Sequence, residues 1–250
     1  MSPIILLSIV LQLTCCVHVV RTGRPLYWVF ILLVFSYLAV IVYVLAEVLP
    51  ELRHNPSARR ASRRVRERLD PGRDKRDADR RLGLSDTPEN RRLLAEECLR
   101  SGDFERAEQL FEAALTGLYR NDPALMLGLA KAQYGLRKPQ AARATLDALI
   151  ASNPGFRSIE GHLLYARSVE DSGDIPGALH EYENVVQGYP GEEARARYAL
   201  LLKRHGDLAA ARALFQEIVT RSAALPRYYQ RDQQEWIKLA RSELATLPTG

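Results

Sequence analysis

The chain has 250 residues, 47% of them apolar and 26% charged, with a formal net charge of +5. That charge is unevenly placed: residues 1–50 carry only Arg21, Arg24 and Glu47, residues 51–81 carry twelve basic and six acidic side chains, and the remainder carries 21 basic and 23 acidic ones. A basic surplus confined to one short segment argues against a nucleic-acid-binding main body, three cysteines exclude a disulfide scaffold, and the apolar start excludes a uniformly soluble chain.

Residues 4–20 are 17 positions without a charge, and residues 26–46 are 21 more. A helix of the first length spans about 25 Å, the short limit for a bilayer, and the second spans comfortably. Between them Arg21, Thr22, Gly23, Arg24 and Pro25 make a tight polar turn. Tyr27 and Trp28 beside that turn, and Tyr43 near the far end, suit headgroup depth. The expectation is a transmembrane helical hairpin over residues 1–50. Arg53, Arg59, Arg60, Arg63, Arg64, Arg66 and Arg68 follow the second span, so the positive-inside rule places everything after Leu49 on the cytoplasmic side of a bacterial-type inner membrane. A cleaved signal peptide fits less well, since no Lys or Arg precedes the first span and no small-x-small site follows it. Cys15 and Cys16 match a lipid-attachment site only in part, because Gln12 stands where Leu is wanted; adjacent cysteines in an apolar helix are more often small buried hydrophobes.

The run Leu26-Tyr27-Trp28-Val29-Phe30-Ile31-Leu32-Leu33, with its close at Val42-Tyr43-Val44-Leu45, resembles the membrane hairpin that opens the phospholipase D-type cardiolipin synthases. The likeness covers residues 4–52. That family usually has Pro and Gly inside the second span, where this chain reads Phe35-Ser36-Tyr37-Leu38-Ala39-Val40, and its catalytic His-x-Lys-x4-Asp pattern is absent. The resemblance therefore implies an anchor without phosphatidyl-transfer chemistry. Small residues such as Ser36 and Ala39 leave room for self-association within the membrane.

Residues 51–87 read as a basic linker, partly disordered or helical, because they hold too few large apolar groups to offset ordering entropy. Pro56, Pro71 and Gly72 interrupt it. Over residues 57–69 a helix would present Arg59, Arg60, Arg63 and Arg64 to the membrane surface, where each cation gains about 1 kcal/mol from anionic lipid in the favourable limit. The plainer reading is a solvated spacer whose arginines fix topology. Aromatic side chains for base stacking are missing, which argues against RNA.

Beyond residue 88 the sequence repeats itself. Ser101-Gly102-Asp103-Phe104-Glu105-Arg106-Ala107 leads to Phe111 and Ala114, Ser172-Gly173-Asp174-Ile175-Pro176-Gly177-Ala178 to Tyr182 and Val185, and His205-Gly206-Asp207-Leu208-Ala209-Ala210-Ala211 to Phe215 and Ile218. A weaker copy runs from Leu136-Arg137-Lys138-Pro139 through Ala142 to Leu146 and Leu149. The anchor alanines Ala107, Ala142, Ala178 and Ala211 are spaced 35, 36 and 33 residues apart. Gly frees the backbone at the end of one helix, Asp caps the next, Ala permits close approach, and the large residue four positions on fills the gap. Leu94-Ala95, Leu129-Ala130, Tyr165-Ala166 and Tyr198-Ala199 supply a large-small pair to each preceding helix, and Pro154 and Pro190 end two of the second helices. Cys98 sits where such a unit packs its helices, so it reads as a buried core thiol.

These residues resemble tetratricopeptide repeats over residues 88–225, in four in-phase copies. The fold expected is all-α: a tetratricopeptide-type α-solenoid after the hairpin, closed by a C-terminal capping helix within residues 226–250 that buries Tyr229, Trp236, Leu239, Ala240 and Leu244. In that family the first helices line a concave groove. Carried onto this chain, the groove positions are Arg92, Glu96, Leu99 and Arg100; Leu127, Lys131 and Tyr134; Leu163, Arg167, Glu170 and Asp171; and Ala196, Leu200, Lys203 and Arg204. The strongest polar candidates are Arg92, Glu96, Lys131, Tyr134, Arg167, Glu170, Lys203 and Arg204. Such a mixed, partly cationic surface suits a protein or peptide segment carrying carboxylates, held in part by Arg forks; taken singly, each of these residues is better explained as an ordinary solvated face, and binding is the reading for the surface as a whole.

No Gly-rich phosphate loop, metal-spaced Cys/His cluster or catalytic His constellation is visible, so neither cofactor, metal nor enzymatic activity is expected. The reading that follows is a membrane-anchored scaffold that recruits a protein partner to the inner face of the membrane. Two others stay open: a periplasm-facing envelope assembly factor or chaperone, and an accessory subunit of a membrane lipid enzyme.

Overall fold

Helices follow one another from Arg73 onward, and the computed structural model describes residues 17–21, 70 and 72–247. Cys15, Cys16, most of the first apolar segment, all of the second, and Arg59, Arg60, Arg63 and Arg64 lie outside the described residues; residues 17–21 are helical. Among the described residues no helix is long and apolar enough to cross a membrane, and no strand occurs. The chain divides into two units, Met1–Arg73 and Asp74–Gly250. The second carries the repeats.

The last part of the basic segment is ordered. Helix α1 (Arg73–Leu84) starts with Asp74 and ends with Arg81, each suited to the helix dipole. Its apolar stripe is only Ala78 and Leu82, one turn apart, and both join a core with Leu94, Ala95 and Cys98. Lys75 reaches Asp103 at 2.7 Å, and Arg106 pairs with Asp79. Thus α1 covers the open end of the first repeat, where the sequence alone shows a polar linker.

Four helix pairs follow: α2 (Pro88–Ser101) with α3 (Phe104–Ala114), α4 (Pro123–Gly135) with α5 (Pro139–Ser152), α6 (Ile159–Asp171) with α7 (Ile175–Gly188), and α8 (Glu193–His205) with α9 (Leu208–Ala224). The starts of the first three are built from side chains that accept orphan backbone N–H groups. Thr87 accepts from Asn90, Asp122 from Ala124 and Leu125, and Ser158 from Gly161; Pro88 and Pro123 occupy the first turns of α2 and α4. At the turns inside the pairs, Asp103, Asp174 and Asp207 accept from Arg106, Gly177 and Ala210.

The anchor alanines Ala107, Ala142, Ala178 and Ala211 are all completely buried, and so are Ala95, Ala130, Ala166 and Ala199 on the facing helices. Phe111, Leu146, Tyr182 and Phe215 fill the space beside them. Cys98 is fully buried and carries no disulfide, and burial pushes its thiol pKa up. Contact between consecutive pairs is equally close. A side chain at Gly128 of α4 would meet the Phe111 ring at 2.3 Å, so only glycine lets α4 lie on α3.

The second pair departs from its fellows where its sequence does. Gly102, Gly173 and Gly206 turn with φ of +77°, +89° and +94°, whereas the corresponding turn of the second pair puts Arg137 at φ +60°. Lys138 caps α5 without a side-chain hydrogen bond.

The C-terminal cap is two helices rather than the single one expected from its apolar spacing. Helix α10 (Arg227–Asp232) breaks at Gln233 before α11 (Gln234–Thr246). The break has a polar cause. The Tyr229 hydroxyl donates to Glu192 Oε1 at 2.7 Å, and the Gln233 side-chain oxygen accepts from the Glu192 backbone N–H at 2.9 Å. Glu192 is wholly buried, with Arg221 and Arg195 at 3.5 and 3.6 Å, so the chain bends to bring it partners. Helix α11 then buries Ile237 and Ala240 beside Phe215 and Ile218, with Trp236, Leu239 and Leu244 partly covered.

The strained turn generates a prediction. A non-glycine residue at positive φ costs about 1 kcal/mol, so Arg137→Gly should raise the unfolding free energy by about 0.5–1 kcal/mol in urea titration. An unchanged or lower midpoint would contradict the assigned turn.

Candidate functional site

The first helices α4, α6 and α8 enclose a cleft of about 720 Å³. Lys131 and Tyr134 enter from α4, Glu160, Leu163, Arg167 and Asp171 from α6, and Glu193 and Arg197 from α8. Along α6 these positions recur every three or four residues, which places them on one helical face. The floor is apolar. Phe104 reaches it beneath Gly135, where any side chain would meet the ring at 2.4 Å, and Tyr189 closes it from the loop before α8.

The polar groups are cross-linked between helices. Lys131 pairs with Glu160 at 2.8 Å. The Tyr134 hydroxyl donates to Asp171. The Arg167 guanidinium lies over the Tyr134 ring, 4.6 Å from its centre, and stands 3.6 Å from Glu193. Arg197 binds the same Glu193 oxygen at 2.8 Å and stacks 5.2 Å from the centre of the Trp236 ring of α11. One donor in this web is unused: the buried Nε of Arg167 has no hydrogen-bond partner. Burial, and then the hydrogen bond to the Asp171 carboxylate, push the Tyr134 phenol above its ordinary pKa. Burial alone would weaken the charge on Arg197, but its hydrogen bond to Glu193 and the field of that carboxylate outweigh it and hold the guanidinium more firmly protonated.

Of the candidate groove residues, Lys131, Tyr134, Leu163, Arg167 and Asp171 come together here. Arg92, Glu96, Glu170, Lys203 and Arg204 are engaged by other side chains. Arg92 is held by Glu89 at 2.6 Å and by Glu96 on its own helix. Glu170 accepts from the buried Tyr182 hydroxyl at 2.6 Å and from Arg204. Lys203 ties α8 to Glu243 of α11 at 2.5 Å. Glu160, Glu193 and Arg197 are cleft residues that the sequence reading did not single out. Glu160 and Glu193 lie one helical turn ahead of the chosen positions, and the i,i+4 spacing of Glu193 with Arg197 was the available signal.

A second cavity of about 630 Å³ opens between α5, the start of α6 and α7, lined by Leu146, Ile150, Phe156, His162 and Val185. At its edge the Tyr165 hydroxyl donates to Asp147 at 2.7 Å, and burial together with that carboxylate raises its phenol pKa to about 12.

Residues 99–167 and residues 163–226 each match a family described as Tetratricopeptide repeat. The helical stack is a tetratricopeptide repeat domain. A thermophilic protein of this kind from Thermus thermophilus is 18% identical, over 67% of this chain and 87% of its own, with a TM-score of 0.52. MamA from Desulfovibrio magneticus RS-1 is 17% identical over 74% and 93%, with a TM-score of 0.54. YrrB, described as a tetratricopeptide repeat protein with an unusual peptide-binding site, is 13% identical over 68% and 93%, with a TM-score of 0.50. At these identities the likeness concerns the fold. No curated protein matches the chain.

The Tyr134 phenol makes a pH prediction. A folded-state pKa raised above the unfolded value favours the protonated form, so its contribution is complete below about pH 10. It is lost as pH rises through the higher folded value. Tyr134→Phe should therefore cost about 1 kcal/mol at neutral pH, and the gap to wild type should close in strongly alkaline buffer. A gap that stays constant or widens would contradict the Asp171 bond.

Proposed function

We propose that this protein is a membrane-anchored tetratricopeptide repeat adaptor, and that the cleft between α4, α6 and α8 holds a segment of a partner protein. The observation that carries the reading is the unpartnered Arg167 Nε in a half-buried cleft floored by Phe104 and walled by Tyr134 and Tyr189. A buried donor without an acceptor is costly, and an entering peptide supplies one. Aromatic walls and a guanidinium are the residue types that anchor interfaces. The peptide-binding site in the description of YrrB adds to this, since that protein shares the fold.

Anchoring rests on the two uncharged segments within residues 4–46, and orientation on the arginines between residues 53 and 68. The repeat domain then faces the cytoplasm of a bacterial cell, and the hairpin raises the local concentration of whatever the cleft holds.

Affinity capture with the full-length chain tests the cleft. Lys131→Glu combined with Arg167→Glu should reduce recovery of the partner about tenfold or more, as for loss of an interface anchor. Equal recovery by both baits would remove the cleft from the function. Orientation is tested at Leu118, which is fully exposed in the loop between α3 and α4. Leu118→Cys should resist an impermeant thiol reagent in intact cells and react after lysis, relative to the parent chain. Labelling without lysis would place the repeats outside.

A further inference from the structure

Inside the cleft, one carboxylate oxygen is shared by two arginines. Glu193 Oε1 stands 2.8 Å from Arg197 Nε and 3.6 Å from the terminal nitrogen of Arg167. Each guanidinium also rests on an aromatic ring, Arg167 on Tyr134 and Arg197 on Trp236. The aromatic rings belong to α4 and α11, so the two cations are fixed by elements at opposite sides of α6 and α8.

We infer that Arg167 and Arg197 form a carboxylate seat that the chain fills with its own Glu193, and that an acidic side chain of the partner enters by displacing it. The inference rests on the reading of this cleft as a peptide site. Three features support it. First, the seat is under-filled: two guanidinium groups offer ten N–H donors between them by simple inventory, yet the Glu193 oxygen lies beyond hydrogen-bond distance of Arg167, whose Nε has no acceptor at all. Second, the occupant is displaceable. Glu193 lies in the first turn of α8, where the helix N-terminus favours its charge even after it swings into solvent. Third, the seat lies where ion pairs are worth more than on an open surface, since the side chains of Arg167 and Glu193 are only 28% and 22% exposed.

Glu193 is on this view a built-in competitor. It keeps two cations paired while the cleft is free, and it sets a threshold that weakly charged segments do not pass. Specificity then comes from exchange of one carboxylate for a better-placed one.

The test uses the full-length chain in detergent micelles and a short fluorescent Glu-rich peptide, with a Gln counterpart and a phosphoserine counterpart of the same length. Glu193→Gln should bind the Glu-rich peptide about three- to tenfold more tightly than wild type, the worth of one half-buried ion pair no longer in competition. Binding of the Gln peptide should not change. Glu193→Asp, which keeps the charge at the helix start and shortens its reach, should shift affinity in the same direction, and adding Arg167→Ala to Glu193→Gln should remove the gain. Affinity of Glu193→Gln at or below wild type would overturn the seat, as would an equal gain for the Gln peptide. A gain confined to the phosphoserine peptide would overturn its assignment to a carboxylate. If the seat fails in this way while charge reversal at Lys131 and Arg167 still abolishes partner capture, the cleft keeps its role; if capture is also indifferent, both readings fall.

Discussion

Everything in the repeat domain depends on how closely two helices can approach. Each helix pair carries a fully buried alanine on both of its helices: Ala95 and Ala107, Ala130 and Ala142, Ala166 and Ala178, Ala199 and Ala211. That spacing leaves a gap which one large side chain fills, Phe111, Leu146, Tyr182 or Phe215, and burying such a side chain contributes about 1.5–3 kcal/mol. A single pair still has an uncovered face, so the buried clusters run from one pair into the next. The ends inherit the same problem. Helix α1 solves it with Ala78 and Leu82, and α11 with Ile237 and Ala240.

Local chemistry made much of this legible in the sequence. A Gly-Asp turn, an alanine and a large residue four positions on are all read within one helix pair, and they mark the buried positions correctly. Cys98 is legible for the same reason. The docking of α1 is not, because its buried stripe is two side chains in a strongly charged segment, and the ion pairs that accompany it, Lys75 with Asp103 and Asp79 with Arg106, join residues far apart in the chain. The break at Gln233 is equally non-local: its cause is the buried carboxylate of Glu192, some forty residues earlier in the chain. Spacing along α10 and α11 carries no trace of it.

The cleft shows the same division. Family spacing identifies which helices line it, and Lys131, Tyr134 and Arg167 follow from that. It does not identify which polar residues on those helices look into the cleft and which are consumed by neighbours. Glu170 and Arg204 occupy groove positions by spacing, yet the buried Tyr182 hydroxyl claims Glu170, and Arg204 follows it. Arg197 enters the cleft because Trp236, on the terminal cap, gives its guanidinium a face to lie on. Side-chain destination in a stack of helices is decided by competition among partners on two or three helices at once.

This competition has a functional consequence. The alanines and aromatics that hold the stack are inaccessible to a partner, and the cleft cations Lys131 and Arg197 are already matched by Glu160 and Glu193. A segment entering the cleft therefore cannot simply add ion pairs to an empty cationic surface. It must replace some, and the net gain is the difference between its geometry and that of the residue it displaces. Such a site discriminates by shape and position of charge rather than by total charge, which fits a repeat domain whose basic and acidic side chains are nearly balanced while the chain's positive surplus lies in the segment before it.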